Sequence, residues 1–239
     1  MQIFYQPHLP DAIELPEEEA KHCLKVLRHK AGDTIHITDG RGNLYAAVLT
    51  NENNKKARFQ ISEQLQKSEP KSYGIHIAIA PTKNSDRIEW FLEKAIEFGI
   101  DRITLLQCRN SERSRTNLER LEKKAVSAMK QSLNLQMPLI RDLTPFRDFL
   151  KQLRESKDSK DEGQCFIAYV DFEIPRHLKD AAAAGKEICV LIGPEGDFAP
   201  EEIEEARETG FIPVSLGKSR LRTETAGIAA CHILNLINE

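Results

Sequence analysis

Leu191-Ile192-Gly193-Pro194-Glu195-Gly196-Asp197-Phe198 and Leu216-Gly217-Lys218-Ser219-Arg220-Leu221-Arg222-Thr223-Glu224-Thr225-Ala226 decide how this chain is read. Each glycine-bearing loop follows a short apolar run, Ile188 to Ile192 in one case and Phe211 to Leu216 in the other. Each also precedes a helical pattern: Pro200 to Glu208, closed by Gly210, and Thr223 to Ile237. Two strand-loop-helix corners this close in sequence predict neighbours at one end of a parallel sheet, where open α/β sheets bind ligands.

Working back from these corners, strands and helices alternate from Gly74 onward. Strands are expected at Ile75 to Ala80, Ile103 to Gln107, Cys165 to Val170, Ile188 to Ile192 and Ile212 to Leu216. Helices are expected at Asp86 to Phe98 (closed by Gly99), Asn117 to Leu135, Phe146 to Leu153 and Pro175 to Ala184. Alternation of this kind predicts an α/β domain with a mostly parallel sheet and helices on both faces. Lys157 to Gly163 reads as a charged loop without a catalytic pattern. The final helix is apolar nearly all round, so it is expected to be buried on most faces or to form a subunit interface.

The first part of the chain has a different pattern. Ile3 to Tyr5, Thr34 to Thr38, Leu44 to Thr50 and Ala57 to Gln64 are short, β-branched or aromatic runs. Turn signals separate them at Ala31-Gly32-Asp33, Asp39 to Asn43 and Asn51 to Asn54. One helix, Pro16 to Leu27, interrupts them, with Leu24 and Leu27 giving its apolar spacing. This pattern predicts a small β-barrel over residues 1–72. The polar segment Gln66 to Tyr73 marks the boundary, and residues 73–239 form the second domain.

The 239 residues carry a formal charge of −3, so overall charge does not announce a nucleic-acid partner. Local basic clusters do. Lys21 to Lys30 holds Lys25, Arg28 and Lys30 without an acid, and Arg109, Arg113 and Arg115 follow a strand. Lys83 and Arg87 lie in the loop after the first strand of the second domain. Guanidinium and ammonium groups suit phosphate oxygens, although a basic face is often only solvated. Trp90 reads as core rather than as a stacking platform. The five cysteines are widely spaced and form no C-x-x-C pair, which predicts reduced, buried thiols and no metal site. No apolar run reaches the roughly 20 residues of a membrane span, and the first residues lack a signal-peptide pattern. These features predict a cytoplasmic protein. Dinucleotide, P-loop, serine-hydrolase and metalloprotease motifs are absent from the sequence.

With both C-terminal loops in view, the sequence resembles the SPOUT superfamily of knotted methyltransferases. More closely, it is similar to the family that methylates N3 of a uridine in bacterial 16S ribosomal RNA. His22 to Gly32 resembles that family's N-terminal helix signature, and Lys83 to Gly99 its next motif. Glu112-Arg113-Ser114 and Gln131-Ser132 resemble weaker ones. The resemblance implies a PUA-like β-barrel for RNA, followed by a SPOUT α/β domain with a deep trefoil knot, a rare exception to un-knotted topology. It implies S-adenosylmethionine as cofactor, 16S ribosomal RNA or the small ribosomal subunit as partner, and a homodimer. By motif match, Leu191, Gly193, Pro194, Glu195, Gly196, Leu216, Gly217, Leu221 and Arg222 are implied to bind the cofactor. Asp197 stands where a glycine is usual and Ala199 where a capping Ser is usual. Neither change removes a main-chain donor, so the pocket is expected to survive.

Uridine N3 carries a proton that must leave before it can attack, so a base or an anion stabiliser is required. Glu195 and Glu224 are both candidate bases, and Arg222 is the candidate orienter of the uracil oxygens or of an acidic base. Glu224 reads equally as a helix N-terminal acid satisfying backbone donors. A non-catalytic RNA-binding assembly factor and a SPOUT ribose 2′-O-methyltransferase remain alternatives. Intact glycine loops favour catalysis over the first, and the extended N-terminal β domain argues against minimal forms of the second.

Overall fold

The computed structural model describes residues 1–53, 56–69, 71–156, 163–170 and 176–239. Asn54, Pro70, most of the charged loop at Lys157 to Gly163, and the expected helix start at Pro175 lie outside the described residues. The chain divides into two compact units: Met1–Pro70 with Val126–Met137, and Lys71–Ala125 with Pro138–Glu239.

In the first unit, β1 (Ile3–Tyr5), β2 (Thr34–Thr38), β3 (Leu44–Asn53) and β4 (Lys56–Gln66) form a four-stranded sheet in that order. β1 runs parallel to β2, and the other pairs are antiparallel. The register shifts three times between β3 and β4, as bulges that add twist do. Phe4, Ile35, Ile37, Ala47, Leu49 and Phe59 are among the side chains filling its core. The expected helix from Pro16 to Leu27 is shorter and changes type. An α-helix, α1, covers Glu17–Lys21, and a turn of π-helix covers His22–Val26. The wider turn carries Leu27 off the buried face, leaving it 36% exposed, and Arg28 ends the segment at φ +59°.

In the second unit, six parallel strands follow the order β10-β8-β9-β5-β6-β7. They are β5 (Gly74–Ile79), β6 (Arg102–Gln107), β7 (Leu139–Pro145), β8 (Gln164–Ala168), β9 (Glu187–Ile192) and β10 (Ile212–Val214). Helices α2 (Ser85–Glu97), α3 (Leu118–Gln131), α4 (Phe146–Ser156), α5 (Leu178–Ala181), α6 (Pro200–Glu208) and α7 (Thr223–Asn238) connect or follow them, α3 beginning in this unit. This is the α/β class with a parallel sheet expected from the alternating pattern. β5 and β9 are buried along nearly their whole length, as strands covered on both faces must be. The edge strand β7 was not anticipated. Only Ile140 of its residues is buried, so it carries neither an apolar run nor a clean alternation. The helix expected to reach Ala184 ends at Ala181, because Ala182 turns extended (ψ 141°).

α7 lies against α2, β5 and β9. A Cβ on Gly227 would come within 2.6 Å of the Phe91 ring and 2.9 Å of Ile79 Cδ1, so the glycine permits this close approach. The buried face of α7 is narrower than expected. Gly227, Ala230, Cys231 and Leu234 are covered, whereas Leu236 is 61% exposed. Trp90, expected in the core, is 47% exposed, because Ile88, Phe91, Leu92, Ala95 and Ile96 already define the inner stripe of α2. From β10, at the sheet edge, the chain returns beside the β9 corner to α7.

His76 on β5 is buried, edge-on to Phe149, with Nε2 2.8 Å from Thr104 Oγ1. Burial pushes its pKa down to about 3, and the charges of Arg102 and Arg141 act in the same direction. The unfolded chain, with an ordinary His value of about 6.5, therefore takes up the proton first as pH falls. The stability contributed by neutral His76 is complete above about pH 6.5 and is lost toward pH 3, amounting to about 2 kcal/mol by pH 5. Urea unfolding of His76→Leu is expected to lose less stability than the parent between pH 7 and pH 5. Equal losses contradict this account.

All five cysteines are buried and none is in a disulfide. Among the described residues, no helix is long and apolar enough to cross a membrane, and no three His, Cys, Asp or Glu side chains gather as a metal site.

Candidate functional site

The carboxyl ends of β8, β9 and β10 surround a cavity of about 500 Å³. Tyr169 and Val170 follow β8, Gly193 to Glu195 and Asp197 follow β9, and Ser215 to Thr223 follow β10. Arg87 enters from the first turn of α2, and Ala226 from α7. Strand order explains the position. β5, β6 and β7 extend the sheet one way, and β9 then inserts between β5 and β8, which makes the topological switch where ligands bind. The volume lies in the range of small-molecule and cofactor sites.

The β9 corner is held rigidly. Gly193 accepts a hydrogen bond at its carbonyl from Thr223 Oγ1 (3.1 Å), which fastens α7 to the loop. Asp197 occupies the left-handed region at φ +62°, which Asp tolerates better than most residues. The residue that departs from glycine therefore keeps the glycine conformation, and its carboxylate adds anchors. Oδ1 accepts from Phe198 N (2.8 Å) and Oδ2 from Val170 N (3.0 Å), joining the β9 and β8 loops. Asn110 Nδ2 donates to the carbonyls of Gly196 and Asp197. Ala199 supplies no side-chain cap to α6. Buried Glu202 instead accepts from Ala199 N (2.9 Å) and Arg109 N (2.8 Å), bracing the loop after β6 against the same corner.

The β10 loop is more open. Gly217 sits at φ +130° with nothing within 4 Å of a built Cβ, so backbone conformation alone selects glycine there. Among the described residues, the main-chain N–H groups of Leu216, Lys218 and Leu221 form no hydrogen bond within the protein. Such donors beside the apolar walls of Ile192, Leu216, Leu221 and Ala226 suit a ligand with an apolar ring and polar edges.

Arg87 organises the acidic residues. Its Nη1 donates to Glu195 Oε1 at 2.7 Å, and its Nε lies 3.8 Å from Glu224 Oε1. Glu195 is substantially exposed on the cavity wall, whereas Glu224 is buried and is not part of that wall. Glu224 Oε2 is buried without a hydrogen-bond partner. An unsatisfied buried acceptor costs about 1–3 kcal/mol. Its place in the first turn of α7 puts it at the positive end of the helix dipole.

The structure thus gathers Gly193, Pro194, Glu195, Leu216, Gly217, Leu221 and Arg222 around one cavity. Leu191 does not reach it, because its side chain is fully buried in the sheet core. Gly196 is also outside, and its Cβ position faces Asn110. Of the residues expected to meet RNA, Arg87 lies in this cavity, Lys83 pairs with Glu112 at 3.1 Å, and Arg109 pairs with Glu201 at 3.1 Å. Arg113 donates to the Lys83 carbonyl. Lys25, Arg28, Lys30 and Arg115 are exposed and make no ion pair among the described residues. Tyr169 and Val170 also line the cavity without any local sequence signal, since no glycine marks the end of β8. Asp197 lies on the wall as well, a position that its departure from glycine could have signalled.

Residues 69–235 match the family described as an RNA methyltransferase domain, and residues 15–62 match an RNA methyltransferase PUA domain. The chain is 42% identical to a crystal structure of a probable rRNA-methyltransferase from Porphyromonas gingivalis, with a TM-score of 0.88, covering 100% of this chain and 98% of that one. A ribosomal RNA small subunit methyltransferase E from Neisseria gonorrhoeae, solved bound to S-adenosyl methionine, is 26% identical with a TM-score of 0.84, covering 100% and 98%. The protein of the same name from Rickettsia conorii is 28% identical over 94% of this chain and 90% of its own length.

Proposed function

We infer, from a chain that belongs to the RNA methyltransferase domain family, that it methylates 16S ribosomal RNA using S-adenosylmethionine. The observation that carries this reading is the single cavity walled by both glycine loops, with a carboxylate at Glu195 and unsatisfied main-chain donors in the β10 loop. The residues fit the cofactor. Leu216, Lys218 and Leu221 offer main-chain N–H groups, Gly193 and Gly217 let the backbone approach, and Ile192, Leu216 and Leu221 enclose an apolar ring. When bound there, S-adenosylmethionine supplies an electrophilic methyl group.

The acceptor is N3 of a uridine. Glu195 takes the N3 proton, because it is the one of the two candidate carboxylates on the cavity wall. Arg87 fixes its position, and Glu224 holds Arg87 from behind. Arg222, exposed at the N-terminus of α7, orients the uracil oxygens and stabilises negative charge as the proton leaves. The PUA-like residues 1–72 hold RNA through Lys25, Arg28 and Lys30 before the methyltransferase residues 73–239 act, and the substrate is the small ribosomal subunit or its RNA. The uncovered face of α7, with Leu236 exposed and the His232 ring tilted against the exposed Phe98 ring (centroids 4.7 Å apart), forms the homodimer contact. The protein works in the cytoplasm.

Nucleoside analysis of small-subunit RNA from a strain lacking this gene is expected to show loss of one N3-methyluridine, restored by the intact gene. Loss of a ribose 2′-O-methyl group instead, or no loss, contradicts the assignment.

A further inference from the structure

Beyond Arg222, the loop from Gly217 carries two positive charges, Lys218 and Arg220, that the cavity chemistry does not use. Lys218, Arg220 and Arg222 are exposed and line the cavity, and none has an acidic partner among the described residues. The chain has no carboxylate between Glu208 and Glu224. Neighbouring cations differ: Lys83, Arg87 and Arg109 are each within 3.1 Å of a glutamate. Charge left unneutralised beside a cavity attracts an anion from outside the protein.

We propose that Lys218 and Arg220 form a phosphate-binding lip that grips the sugar-phosphate backbone of single-stranded RNA beside the nucleotide whose base enters the cavity. This rests on reading the cavity as the site of RNA methylation. A base presented by its pairing edge has to leave its helix, so its flanking phosphates arrive at the rim as a single strand. Two cations beyond Arg222 exceed what one ligand carboxylate needs, whereas a nucleic-acid strand supplies one anionic phosphate per nucleotide. Gly217, at φ +130° with open space around it, lets the loop project without a side chain between it and the strand.

The test is filter binding of 16S ribosomal RNA transcript from 50 to 200 mM KCl, with the parent and the double variant Lys218→Ala/Arg220→Ala. The variant is expected to bind more weakly and to lower the slope of log affinity against log salt by about 1.4, at about 0.7 per phosphate contact on a single strand. The single variant Arg220→Ala, which leaves the cofactor-facing main-chain donors of Leu216, Lys218 and Leu221 untouched, keeps its calorimetric affinity for S-adenosylmethionine within about twofold of the parent, far below the tenfold worth about 1.4 kcal/mol. The Lys218→Arg/Arg220→Lys swap, which keeps both charges, retains the parental slope. An unchanged slope in the alanine variant overturns the lip. So does a loss of cofactor affinity with RNA binding intact, which assigns these cations to the cofactor. A parent protein without salt-dependent affinity for either the transcript or the assembled small ribosomal subunit overturns the methylation reading along with the lip.

Discussion

Glu195→Gln lowers kcat for methylation of 16S ribosomal RNA by roughly 10²–10⁴-fold, the usual contribution of a positioned general base. Its affinity for S-adenosylmethionine changes only a few-fold. The prediction follows from placement. Glu195 lies on the cavity wall, where it can reach both substrate and solvent, and Arg87 restrains it at 2.7 Å. Glutamine keeps the size and one acceptor but cannot hold a proton from N3. The ion pair itself is partly exposed and contributes at most about 1 kcal/mol of stability, so a lost rate cannot be ascribed to unfolding. Single-turnover rates at saturating cofactor measure the effect. Full activity in Glu195→Gln removes the carboxylate from the chemistry.

Gly193→Val is expected to reduce S-adenosylmethionine affinity by at least about 100-fold, or about 2.7 kcal/mol. A Cβ at this position would lie 3.0 Å from Phe198 Cδ2 and 3.3 Å from Asp197 Oδ1. Neither neighbour can move cheaply. Phe198 is buried against Phe146, and Asp197 is committed to Phe198 N and Val170 N. The backbone of residues 193–197 therefore has to shift, and the loop loses its fit to a ligand while the sheet beneath persists. Calorimetry reads the affinity, and a thermal melt confirms that the variant is folded. A folded Gly193→Val with parental affinity contradicts the role given to this corner.

Much of the site was legible because local physics wrote it into short segments. Apolar runs ending in glycine announced the β9 and β10 corners, and Pro200 announced the start of α6. What stayed hidden depends on distant partners. Arg87 and Glu195 are 108 residues apart, so the pairing that turns an expected RNA contact into a positioning group has no local signature. The Glu202 brace is equally remote, tying Arg109 to Ala199. β7 was invisible because an edge strand with one buried residue carries little pattern, and the π-turn after Lys21 broke a spacing that read as continuous α-helix. The exposed face of α7 reflects a different limit. Composition gives the amount of apolar surface on a helix, and only the fold determines which part is covered.

One cavity at the carboxyl ends of β8, β9 and β10 binds S-adenosylmethionine for methyl transfer in the function proposed above. Titration calorimetry of the intact protein with S-adenosylmethionine tests it most directly. Saturable binding is expected, one cofactor per cavity, lost in Gly193→Val and kept in Glu195→Gln. Folded parent protein that takes up no cofactor contradicts it.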